Sequence, residues 1–170
     1  MIDPSAFIAQ GAIVLGDVEL GKDASVWYNA VIRGDTDKIT IGEETNIQDL
    51  TMIHTDPGIS CVVGKRVTVG HRVILHGCTI EDDCLIGMGA TVLDGARIGS
   101  QSIVGANSLV PQRFTCPAGS LVYGSPARIV RALTKKERGG LRAWARKYVA
   151  VARAHAALAS GSYRSSVKKV

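Results

Sequence analysis

The sequence predicts an all-β solenoid: a parallel β-helix of six-residue strips followed by a C-terminal α-helix. Three observations predict it. Large aliphatics recur every six residues, small or β-branched residues hold the fourth place after them, and beyond residue 127 the pattern switches to a helical period.

The aliphatic column opens with Ile8, Val14, Leu20, Val26 and Ile32. After a three-residue insertion it resumes at Ile41, Ile47 and Ile53, and after a longer loop, about Thr55 to Val62, at Val63, Val69 and Leu75. One five-residue strip then leads to Ile80, Ile86, Val92, Ile98, Val104 and Val110. Each strip reads as a short strand and a turn, and three strips make one coil. No coil can bury its own aliphatics, so the core closes only when coils stack.

The second column checks this register independently. It reads Ala12, Val18, Ala24, Ala30, Thr45, Thr51, Val67, Val73, Thr79, Cys84, Ala90, Ala96, Ser102 and Ser108, all of a size that a tight corner accepts. Composition agrees. Two Phe and two Trp beside nineteen Gly suit a thin, repetitive architecture better than a sandwich.

The helical segment starts at a capping box, Thr134-x-x-Glu137. Leu141, Trp144, Ala145, Tyr148, Ala152, His155 and Ala159 then recur at helical spacing until Gly161. We therefore expect a β-helix over residues 1–127. Residues 128–170 are expected to form a basic linker and a helix packed on its side, the whole making one domain.

Charge divides at the same boundary. Residues 1–127 carry 8 Lys/Arg against 14 Asp/Glu, whereas residues 128–170 carry 12 Lys/Arg against Glu137 alone. With no aromatic platform and no nucleic-acid motif, this basic segment reads as a cover for an acidic body, and nucleic acid is excluded as a partner. No apolar run is long enough to span a membrane. Met1-Ile2-Asp3-Pro4 does not open a secretory signal. Cys61, Cys78, Cys84 and Cys116 lack Cys-x-x-Cys spacing and read as reduced thiols of a cytoplasmic protein.

Three histidines carry the functional reading. Counting three strips per coil puts Ile32, Ile53, Leu75 and Val92 on one face, so Arg33, His54, His76 and Leu93 stack in an outward column. His54 and His76 then stand one coil apart, ~4.8 Å, close enough to share a metal ion. His71 belongs to the adjacent face, above Asp49 and next to Gln48, and does not readily converge on the other two within its own chain. A cyclic trimer that packs one face on the neighbour's adjacent face can supply it, and brings Arg33 towards Asp49 of the next subunit.

With that constellation in place the chain resembles the γ-carbonic anhydrase family. The resemblance rests on Arg33-Gly34-Asp35, Asn46-Ile47-Gln48-Asp49, His54, Gly70-His71-x-x-x-Leu75-His76-Gly77-Cys78, Ile86-Gly87-Met88-Gly89-Ala90 and Tyr123-Gly124-Ser125-Pro126-Ala127. It implies a left-handed β-helix of hexapeptide repeats, although the general preference for right-handed crossovers points the other way. It also implies a homotrimer holding zinc, or iron(II), through His54 and His76 of one subunit and His71 of the next, and acting on carbon dioxide to give bicarbonate. By the same resemblance Gln48 orients the reacting water, Arg33 and Asp49 pair between subunits, Asn46 and Asp35 line the site, and Tyr123 takes the place of an active-site tyrosine. The chain departs from the family's most active pattern in two places. Thr36 follows Asp35 where a glutamate serves as proton shuttle, and the loop of residues 55–62 holds only Asp56, so turnover is expected to be slow.

Rival classes follow from the same repeat. Many hexapeptide β-helix proteins are acyltransferases using coenzyme A and one histidine base, and a thioesterase or a non-catalytic metal- or siderophore-binding protein are further readings.

Overall fold

The computed structural model describes residues 1–160, with side chains through residue 158. Short parallel strands pair coil upon coil to make a three-faced prism, and one helix, Lys135–Ser160, runs along its side. Gly161, the expected helix end, and the side chain of Ala159 lie outside the described residues.

The aliphatic column is the core. From Leu20 and Val26 through Val104 and Val110 its members are buried, whereas Ile8 and Val14 remain partly exposed because no coil precedes theirs. The column runs two strips further than the sequence pattern suggests, to buried Cys116 and Val122. Its end is masked in the sequence by a cysteine in an aliphatic place and by Phe114 in a corner place. The strand Ser120–Gly124 then turns back through a hairpin to pair antiparallel with Ala127–Ala132, at the end of the sheet. These residues, expected to be linker, therefore form a strand.

Most corners are made by a residue in the left-handed region just before the small residue of the second column. Asp23, Asn29, Glu44, Leu50, Arg66, Arg72, Asp83, Gln101, Asn107 and Arg113 all have φ between 54° and 61°. Such backbone is disfavoured for side-chain-bearing residues. The stacked coils hold it in place, since most of these corner amides bond the preceding coil, as Arg66 N does Glu43 O and Asp83 N does Lys65 O. One member of the second column differs from expectation. In the five-residue strip the buried corner residue is Cys78, and Thr79 faces outward, because the missing residue lies before the corner and not after it.

The three faces differ in what covers them. On one, the outward residues are Glu19, Thr40, Val62, Thr79, Arg97 and Thr115, a mostly polar row. A second, with Ser25, Asn46 and Thr68 outward, lies under the helix. On the third the outward residues are Ile13, Val31, Met52, Ile74, Thr91 and Leu109, a mostly apolar row that no helix covers among the described residues.

The helix begins as its sequence predicts. Glu137 N donates to Thr134 Oγ1 and Thr134 N to Glu137 Oε2, while Arg131 holds the same carboxylate with two bonds. Those contacts, the Arg131 bonds first, lower the Glu137 carboxyl to about 2. Leu141, Ala145 and Ala152 are buried against the prism. Beside them Arg142, Arg146 and Arg153 meet Asp83, Glu44 and Asp23, so a basic row on the helix runs along acidic corner residues of three coils. The basic segment thus covers its own acidic body. His155, in the helical stripe, packs among Phe7, Trp27 and Tyr28, with the Tyr28 hydroxyl 2.8 Å from Nδ1.

Candidate metal centre

Buried Ile53 and Leu75 point into the core, and strand alternation sends the next residues, His54 and His76, outward. The strands Met52–His54 and Ile74–His76 pair in register, so the two imidazoles stack directly, with ring centroids 5.2 Å apart. His54 Nδ1 stands 3.3 Å from His76 Nε2. Their remaining nitrogens both meet carboxylates. His54 Nε2 is 3.1 Å from Asp35 Oδ1, and His76 Nδ1 is 2.6 Å from Asp94 Oδ1. Arg33 Nη1 donates to Asp35 Oδ2 at 2.6 Å. That bond, foremost, holds the Asp35 carboxyl below its usual range, with His54 contributing less.

This arrangement fits a metal ion. When each outer nitrogen donates its proton to its aspartate, both inner nitrogens present lone pairs to one another, which is unfavourable until a cation lies between them. Two nitrogens bound to a tetrahedral ion at ~2.0–2.1 Å stand about 3.3 Å apart, and the inner pair is separated by 3.3 Å. The carboxylate behind each ring is the usual outer shell of metal-binding histidines. Among the described residues, one trio of donors lies within 4.8 Å of one another: Asp56, His76 and Asp94. In that trio the Asp94 oxygen is already engaged by the His76 ring, so we read it as the outer side of the same centre.

His71 lies on the adjacent face, as its register predicts. Its Nδ1 is 2.8 Å from Asp49 Oδ2, so a third imidazole is also backed by an aspartate, with its Nε2 directed away from it. Beside it, buried Asn46 donates to Thr68 Oγ1, and buried Gln48 donates to Asn46 Oδ1 at 3.1 Å. A crevice of about 240 Å³ opens over His71 and Gln48, walled by Met88 and by Trp144 and Tyr148 of the helix. Burial, and then the Asp49 charge, push the Tyr148 phenol above its ordinary pKa, and its hydroxyl meets Gln48.

The expected site residues thus fall into two groups. Arg33, Asp35, His54 and His76 come together on the uncovered apolar face, and Asn46, Gln48, Asp49 and His71 come together under the edge of the helix. Within one chain Arg33 pairs with Asp35, and Asp49 with His71. Tyr123 joins neither group. It is 58% exposed and stacks over Gly105, four coils along its column from Gln48, ~19 Å by strand spacing. Two residues beside the site were not singled out in the sequence. Tyr148 had no signal, since helical periodicity does not say which strip a side chain meets. Asp94 had one: it stands one place after Leu93 in the histidine column, opposite the short strip.

Comparison with known proteins places the chain in a family. Residues 77–112 match the family described as bacterial transferase hexapeptide (six repeats), and residues 58–93 the hexapeptide repeat of succinyl-transferase. A probable carbonic anhydrase of Methanocaldococcus jannaschii is 49% identical over 88% of this chain and 94% of its own length. Gamma carbonic anhydrase 2, mitochondrial, of Arabidopsis thaliana is 41% identical over 96% of this chain, which spans 61% of that protein. A solved structure titled putative acetyltransferase, from Bacillus cereus, superposes with a TM-score of 0.90 at 42% identity, covering 92% of this chain and 91% of that one. The fold is the left-handed β-helix of hexapeptide repeats, and by these relatives the chain belongs to the γ-carbonic anhydrase family.

Proposed function

We propose that the protein is a homotrimeric carbonic anhydrase, hydrating carbon dioxide to bicarbonate at metal centres shared between subunits. One observation carries this reading. The inner nitrogens of His54 and His76 face each other at 3.3 Å while both outer nitrogens are committed to aspartates. That pair needs further ligands, and His71, whose Nε2 points away from its own aspartate, is on a different face. The uncovered row Ile13, Val31, Met52, Ile74 and Leu109, beside the histidine pair, supports subunit packing there, because apolar rows of this kind are normally covered. A cyclic trimer brings this face against the neighbour's His71 crevice.

Zinc or iron(II) held by these three imidazoles supplies Lewis acidity that lowers the pKa of water to about 7. The protein's own side chains set the rest. Asn46 and Tyr148 hold the Gln48 amide in place to orient the reacting water. Arg33 keeps Asp35 ionised, which makes Asp35 an anchor for His54 and a poor proton acceptor. Thr36, whose hydroxyl lies 3.2 Å from the outer nitrogen of His54, offers no carboxylate to carry the proton away. We infer a cytoplasmic protein, as all four thiols are buried and unpaired.

The test is metal analysis and carbon dioxide hydration on one purified sample. The reading expects near-stoichiometric zinc or iron and hydration that disappears on chelation. Acyl transfer is the rival, given the putative acetyltransferase among the similar structures. A sample without hydration activity that turns over acyl-coenzyme A would establish that rival.

A further inference from the structure

We propose that Asp94 is the positioning residue of the metal centre, and that the shortened strip at Leu75–Ile80 exists to admit it. This rests on the metal-centre reading above. In an ordinary strip two residues separate the core aliphatic from the left-handed corner residue, as Leu93 and Asp94 separate Val92 from Gly95. In the His76 strip there is one, because Gly77 is already the corner, at φ 50°. Val92 pairs with Leu75, and Gly95 N donates to Gly77 O, so the two corners are aligned. The place below Asp94 that a second residue would fill is therefore vacated.

The Asp94 carboxylate enters that space. Oδ1 reaches His76 Nδ1 at 2.6 Å, and Oδ2 accepts from Gln112 Nε2 at 3.3 Å, so the acid is held from its far side. Gly77 is required for this approach, since a Cβ there would collide with Asp94 Oδ1. An aspartate that accepts from Nδ1–H fixes the ring's tautomer and turns Nε2 towards His54. Direct contact with the reacting atoms is not needed, and the effect passes through His76.

The experiment compares Asp94→Ala and Asp94→Asn in the full-length protein. Zinc affinity is read by chelator competition, and the His76 tautomer by ¹⁵N imidazole shifts of the metal-free protein. Asp94→Ala should weaken zinc binding about 10- to 100-fold and lose the fixed Nδ1–H tautomer. Asp94→Asn, which keeps an acceptor oxygen, should restore most of both. Unchanged affinity in Asp94→Ala overturns the inference, as does Asp94→Asn behaving like Asp94→Ala. Loss of zinc with the tautomer unchanged overturns it as well, by making Asp94 a ligand in its own right. Wild-type protein that takes up no zinc overturns the metal-centre reading itself, and this inference with it.

Discussion

Three histidines each stand on an aspartate: His54 on Asp35, His71 on Asp49 and His76 on Asp94. Replacing any one of the three histidines with Ala should remove most of the metal, at least tenfold in retained ion, while the far-ultraviolet circular dichroism stays that of the wild type. None of the three belongs to the buried aliphatic column, so the fold has no stake in them. A second prediction concerns the proton. With Thr36 beside His54, turnover should rise with the concentration of a small imidazole-type buffer, while buffer-independent exchange of carbon dioxide and bicarbonate stays constant. Thr36→Glu should reduce that buffer dependence. Equal buffer dependence in both proteins would remove Thr36 from the proton path. The histidine pair was legible in the sequence because a period of six fixes which residues stack and which point outward. Asp94 was harder to see, since its contact depends on the side of the corner from which the short strip loses its residue.

At the scale of the element, the helix was legible and its docking was not. The capping box and the apolar spacing are local and survive in any context. Which strips the helix crosses depends on Arg142, Arg146 and Arg153 finding Asp83, Glu44 and Asp23, residues brought into one line only by the folded corners. Asp83 is the most enclosed of these carboxylates, with 9% of its side chain exposed, and it serves both Arg66 and Arg142. Burial raises its pKa, but the two guanidinium groups outweigh burial and leave it lowered from 3.8. A carboxyl lowered on folding contributes stability above its unfolded pKa and loses it as pH falls through the folded value. The helix should therefore loosen in acid below the ordinary carboxylate range, seen as a change in Trp27 and Trp144 fluorescence before the β-helix melts. Asp83→Ala should cost about 1–3 kcal/mol, measured by urea unfolding, and should remove most of that early acid transition. An unaltered transition would assign it to other groups. The terminal hairpin escaped the sequence pattern for a different reason: strand pairing there is antiparallel, so the six-residue period no longer applies.

At the scale of the whole molecule, the described residues close a core, and the proposed site residues divide between two faces. That core closes by stacking, and one face is covered by the helix. Among the described residues no helix covers the apolar row beside His54 and His76, and the third imidazole lies round the corner beside Met88 and Trp144. Period and register made this division legible, since they assign every residue to a face, but a repeat carries no information on how separate prisms meet. A charge placed in the apolar row should separate the subunits. Ile74→Asp is expected to sediment as a folded monomer with little metal, whereas a monomer that keeps full metal would place the whole site in one chain.

The shared site is tested most directly by complementation. His71→Ala retains His54 and His76, and the double variant His54→Ala/His76→Ala retains His71. Each alone should hold only traces of zinc. Mixed trimers, prepared by co-expression with two different affinity tags, should each regain one intact site, read as zinc per trimer together with the return of carbon dioxide hydration. Mixed trimers that stay empty, or a His71→Ala trimer that binds zinc as fully as the wild type, would contradict the account.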